Sequence, residues 1–145
     1  MRQCSPAGYR EAEKPRAGTA AIRVLVVEDD LDARELVAHF LERNAIEVRT
    51  AASAAEALAE LESYSPHVIL SDIGMPLEDG YSLIRRIRAL PAEDKKNIPA
   101  IAVTAFVRTE DKTRAFVEGF DMHVSKPVDL AKLLSVVARF AQRGA

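Results

Sequence analysis

From Ile22 onward, apolar positions follow two alternating patterns. "IRVLVV", "HVILSD" and "IPAIAVTA" are near-continuous aliphatic runs, the pattern of strands buried on both faces. "IEVRTA" alternates Ile46, Val48 and Thr50 inward with charge outward, as a half-exposed edge strand would, and "MHVS" predicts a short fifth strand. Between the strands the period changes to helical. Ala33, Leu36, Val37, Phe40 and Leu41 recur on one face, with Asp32 and Glu35 spaced like a cap and its N3 partner. Ser53 to Glu56 reads as a capping box opening "AAEALAELE". "YSLIRRIRAL" puts Leu83, Ile84, Ile87 and Leu90 on one face, and the more polar "TEDKTRAFVEG" ends at Gly119. Leu130, Leu133, Leu134, Val137 and Ala141 give a last amphipathic helix.

Five strands alternating with five helices predict an α/β fold, a parallel sheet covered on both faces. A chain of 145 residues suits one domain, long enough to bury roughly 68–70% of its unfolded surface. Residues 1–21 lack either period and carry Pro6, Gly8, Pro15 and Gly18, so they read as a flexible N-terminal extension, with the domain spanning 22–143. The balance of 20 basic against 22 acidic residues argues against general nucleic-acid affinity. No apolar run reaches the ~20 residues of a membrane span, and no signal-peptide h-region precedes the domain. The lone cysteine, Cys4, reads as an incidental thiol and suits a reducing compartment, hence a cytoplasmic protein.

Chemistry concentrates where the strands end. In an open parallel sheet ligands bind beyond the carboxyl ends of the strands. There the first strand offers Glu28, Asp29 and Asp30, the third Asp72, the fourth Thr104 and the fifth Lys126. If the first and third strands are neighbours, their carboxylates converge. Two unit charges ~4 Å apart repel by about 4 kcal/mol at an effective dielectric of 20. Such a cluster calls for a cation, and hard oxygens with room for water suit Mg²⁺ or Mn²⁺. An Asp beside a metal, a hydroxyl and an ammonium meets the needs of phosphoryl transfer: the carboxylate attacks, and the other groups disperse charge on the oxygens.

At these residues the chain resembles the receiver domain of two-component response regulators. The likeness covers about residues 22 to 143 and rests on "VLVVEDD", "VILSDIGMPLEDG", "AVTA" and "SKPV" in that order. It implies a flavodoxin-like, CheY-like sheet in the order 2-1-3-4-5. By the same likeness, Asp72 is the phosphoacceptor, served by a histidine kinase or histidine phosphotransfer protein. The metal ligands implied are Glu28, Asp29, Asp72 and the backbone carbonyl of Gly74, with Asp29 the more direct of the acidic pair. Thr104, Ala105 and Lys126 hold the phosphoryl oxygens. Thr104 and His123 form the switch, and Lys126-Pro127 is cis. The implied contact surface for a downstream protein partner is the fourth helix, fifth strand and fifth helix.

Several residues depart from the commonest pattern. Glu28 stands where Asp is more frequent, and its longer arm suits a contact through water. His123 replaces Tyr or Phe and reads as a plain neutral aromatic. Gly74 and Phe106 flank the expected route of attacking water, so phosphate lifetime should depend on both. Asp30 reads as solvated or as a cap, Asp79-Gly80 as a turn, and Arg85, Arg86 and Arg88 as a solvated helix face rather than a nucleic-acid patch.

Three other functions compete. A haloacid-dehalogenase-type phosphatase needs a second acid where Gly74 stands and has no room for its cap. A pseudo-receiver scaffold would lack part of the acid, Thr and Lys set. A nucleotide-binding domain would need glycine motifs that are absent. The reading is of a switch that catalyses only its own phosphorylation and dephosphorylation. After Arg143 there is no stretch for an effector, so the domain either acts alone or comes from a longer protein such as a hybrid kinase.

Overall fold

Five short strands carry the apolar runs: β1 (Arg23–Val27), β2 (Glu47–Ala51), β3 (Val68–Asp72), β4 (Ala100–Thr104) and β5 (Met122–Ser125). The computed structural model describes residues 21–105 and 109–144. It pairs the strands in parallel in the order β2-β1-β3-β4-β5, the flavodoxin-like order expected. The helices are α1 (Leu31–Glu42), α2 (Ala54–Ser63), α3 (Gly80–Arg88), α4 (Glu93–Lys96), α5 (Thr109–Glu118) and α6 (Leu130–Gly144). The four-residue α4 was not foreseen, so the predicted fourth and fifth helices are α5 and α6. The extension expected at 1–21 lies outside the described residues apart from Ala21, as do Cys4 and Phe106.

Alternate residues of each central strand feed two cores, which is why their apolar runs are unbroken. On one face Leu25, Val27, Ile69 and Ala102 pack with Leu61 of α2 and Leu83, Ile84 and Ile87 of α3. On the other, Val24, Val26, Leu70, Ile101 and Val124 meet Leu41 of α1 and Leu133, Val137 and Phe140 of α6. Truncating a fully buried residue such as Leu25 or Ile69 to Ala would cost about 2–5 kcal/mol. This packing fixes the strands and therefore the position of whatever follows them.

The edge strand departs from its predicted alternation. Ile46 and Ala51 are buried and Val48 half-buried, but Thr50 is exposed, because β2 is paired on one side only. Of the two caps read for α1, Asp30 forms and Asp32 does not: Asp30 accepts from the Ala33 N–H at 2.8 Å, and Asp32 lies in the first turn. Leu36, predicted on the buried stripe, is 59% exposed. The capping box at α2 is present, Ser53 Oγ accepting from the Glu56 N–H at 3.1 Å while Glu56 accepts from Ala52 at 2.8 Å. Gly119 ends α5 with φ +131°, a conformation that L side chains rarely adopt.

Arg88 needs a larger correction. Arg85 and Arg86 are exposed, as a solvated face requires, but the Arg88 guanidinium turns inward. It donates to the carbonyls of Gly119, Lys96 and Ile98 and pairs with Asp121 at 3.0 Å. These residues precede β4 and β5, so Arg88 ties α3 to the N-terminal edge of the sheet.

Candidate functional site

Strands β1 and β3 are direct neighbours, with Val27 paired to Ser71, so the residues that follow Val27 meet Asp72. Glu28, Asp29 and Asp72 each bring a carboxylate oxygen within 4.8 Å of the others. Glu28 and Asp72 are buried at 7% and 6% exposure, whereas Asp29 is exposed. Lys126 reaches over from the end of β5: its Nζ lies 2.9 Å from Asp72 Oδ1 and 3.5 Å from Glu28 Oε1. Four of the predicted residues therefore converge.

Electrostatics reflect the crowding. Burial, and then the charge of Asp72, raise the Glu28 carboxyl above its ordinary value, outweighing the Asp30 N–H that donates to it at 3.2 Å. Burial alone would lower the Lys126 ammonium, but its hydrogen bond to Asp72 and the charges of Asp72 and Glu28 raise it. One lysine against three carboxylates leaves the cluster negative. Its hard oxygens and partial exposure fit Mg²⁺ with bound water.

The other predicted residues take up flanking positions. Thr104 is buried at the end of β4, beside the Val103 that pairs with Asp72, and its carbonyl accepts from the Lys126 N–H at 2.9 Å. Ala105 follows, exposed, and Gly74 is exposed in the loop after β3. The Lys126-Pro127 bond is cis, as expected. His123 lies on β5 opposite Ala102, half-buried, with Nε2 3.3 Å from Ser125 Oγ. Burial, then Lys112 and Lys132, lower its pKa, which keeps the ring neutral near pH 7.

Sequence patterns alone missed several contributors. Gly80 opens α3 against β3, and a Cβ there would lie 2.5 Å from the Asp72 carbonyl oxygen and 2.8 Å from Ile73 Cα. Asp79, predicted only as a turn residue, caps α3 by accepting from the Ser82 N–H at 3.0 Å. A glycine at the first position of a helix was the available signal. Ser71 Oγ donates to the Asp72 carbonyl at 2.9 Å. Leu31, Leu36 and Leu77 are exposed, and Leu36 lines a cavity of about 300 Å³ that opens between α1 and α6 onto Glu28, Asp72 and Lys126.

A family model for the response regulator receiver domain matches residues 24–138. The chain belongs to that family. It is 41% identical over 121 residues to an uncharacterized 14.6 kDa protein in the sodA1 3′ region of Leptolyngbya boryana, covering 83% of this chain and 91% of that one. It is 37% identical to the sensor histidine kinase RcsC of Salmonella typhi, over 83% of this chain but only 12% of the kinase. The chemotaxis response regulator CheY4 of Vibrio cholerae superimposes with a TM-score of 0.77 at 30% identity, covering 83% of this chain and 99% of that one. The chain therefore has the length of some relatives and is a small fraction of others. The receiver is a signalling domain that works with histidine kinases or phosphotransfer proteins. Among the described residues, no helix is long and apolar enough to cross a membrane.

Proposed function

We propose that residues 22–143 form a phosphorylation-dependent switch in which Asp72 accepts a phosphoryl group. The observation that carries this is the meeting of Lys126 with Asp72 at 2.9 Å inside a cluster that includes Glu28 and Asp29. An Asp72 carboxylate oxygen attacks the phosphorus of a phosphohistidine on a kinase or phosphotransfer protein. A P–O bond forms, the P–N bond breaks, and the imidazole keeps the electron pair and takes a proton from water. Glu28, Asp29, Asp72 and the Gly74 carbonyl would hold the Mg²⁺ ion, which when bound neutralises carboxylate and phosphoryl charge. Lys126, the Thr104 hydroxyl and the Ala105 N–H hold the phosphoryl oxygens.

Exposed Leu31, Leu36 and Leu77 supply an apolar rim for the donor. Movement of Thr104 toward the phosphate, followed by His123, reshapes the face made by α5, β5 and α6 for a downstream protein. Phe116, 53% exposed on α5, is an apolar anchor there. The domain works in the cytoplasm, without nucleic acid, either alone or as the receiver of a hybrid kinase. The second context is supported by the match to one segment of RcsC.

Acetyl phosphate with Mg²⁺ tests the reading. Wild type should gain one phosphoryl group per chain by intact mass, and Asp72→Asn none. A chain that stays unmodified would be a scaffold, and continuous release of phosphate from varied esters would make it a phosphatase.

A further inference from the structure

Asp29 belongs to the acidic cluster yet is exposed, and among the described residues no basic side chain pairs with it. The backbone that carries it helps to set its direction. That backbone is a three-residue link between the end of β1 and the first residue of α1. The Arg34 side chain ties the start of the link to α1: its Nη1 donates to the Glu28 carbonyl at 2.9 Å. The other end is held by the first backbone bond of α1, from the Arg34 N–H to the Asp30 carbonyl at 2.9 Å. Glu28 is further held by its N–H to the Ala51 carbonyl at 3.0 Å, and its Oε2 accepts from the Asp30 N–H. With Asp30 fixed as the cap of α1, Asp29 is left one path between two anchored neighbours.

We infer that Arg34 is a positioning residue, clamping the link so that the carboxylates of Glu28 and Asp29 face Asp72. This rests on the reading of those three acids as a Mg²⁺ site. Arg34 makes no ion pair among the described residues, so its fork is spent on a carbonyl. The clamp and simple charge predict opposite signs. A cation near the cluster repels Mg²⁺, so if Arg34 acted only through charge, removing it would tighten metal binding. If it positions the ligands, removing it weakens binding.

The test is calorimetric titration of Mg²⁺ alone into wild type, Arg34→Met and Arg34→Lys, with thermal melts of each metal-free protein. Loss of an outer partner of a metal ligand typically costs 10–100-fold in affinity. Because this partner acts through the main chain, about ten-fold weaker binding is expected for Arg34→Met, with part recovered in Arg34→Lys. Unchanged or tighter Mg²⁺ binding in Arg34→Met would overturn the inference, even if the melt shifts. If Arg34→Met does not fold, Arg34→Lys alone decides it, by weaker or unweakened binding. Wild type that binds no Mg²⁺ would overturn the metal site itself and this inference with it.

Discussion

Replacing Arg88 with Met keeps the aliphatic stem and removes the guanidinium. The stem is packed: a Cβ at Gly119 would approach Arg88 Cγ at 3.0 Å. The head makes five contacts, at 3.0 and 2.8 Å to the Gly119 carbonyl, 2.9 Å to Lys96, 2.6 Å to Ile98 and 3.0 Å to Asp121. A hydrogen bond from a charged donor is worth roughly 1.5–3 kcal/mol. The five share one group, and burial opposes them, since it holds the Arg88 pKa below its ordinary value despite Asp121. The net loss should therefore be about 2–4 kcal/mol, which for a domain of this size lowers the melting temperature by on the order of 10 °C. Exposed Arg86, paired with Glu78 at 2.6 Å, should cost no more than about 1 kcal/mol when changed to Met. Arg88→Lys should recover little, because an ammonium cannot reach the same set of carbonyls as a fork. Thermal and urea melts followed by circular dichroism read the stability. Phosphoryl uptake should be unchanged in the folded variant, because the Arg88 contacts lie at the opposite end of the sheet from Asp72. A melt of Arg88→Met equal to that of Arg86→Met would refute the reasoning.

Gly80→Ala should destabilise by about 1–3 kcal/mol through the clash with the Asp72 backbone, and should slow phosphoryl uptake by about ten-fold or more in protein that remains folded; chemical denaturation and uptake kinetics check both. The raised Lys126 pKa means that its contribution to stability is complete below its unfolded value, about 10.4, and is lost as pH rises through the folded value. Wild type should therefore lose stability above that pH in a way that Lys126→Met does not. Glu28 has the same sign in a lower pH window. Its folded pKa is raised, so metal-free stability falls as pH climbs from the ordinary 4.5 through the folded value. Glu28→Gln should melt higher than wild type at pH 7 without Mg²⁺ and gain less when Mg²⁺ is added. Gly74→Asn should change the lifetime of the phosphoryl group, read by its decay after the donor is removed, and a wild-type rate would count against a role for that position.

The sheet and its acids were legible because two separate signals coincide in β1 and β3. Each is a near-continuous aliphatic run, which only a strand covered on both faces requires, and carboxylates stand at the end of each. Asp72, Glu28, Asp29 and Lys126 meet because strand order brings those ends together. What escaped depended on distance or on competition among like residues. Arg88 looked like its exposed neighbours, since its carbonyl partner Gly119 lies 31 residues further on. Asp30 and Asp32 are equally good caps by type, and where β1 ends decides between them. Helix α4 has only four residues, too few to establish a period. Leu36 fits the apolar stripe of α1, yet α6 leaves a cavity beside it instead of covering it.

The central claim is that the carboxylate of residue 72 becomes covalently phosphorylated. Borohydride reduction of acetyl phosphate-treated protein, followed by peptide mapping, tests it most directly, because an acyl phosphate on aspartate is reduced to homoserine. Homoserine at position 72 alone, dependent on Mg²⁺, is the predicted result. Homoserine at 29 or 30 instead, or unreduced aspartate throughout, would contradict it.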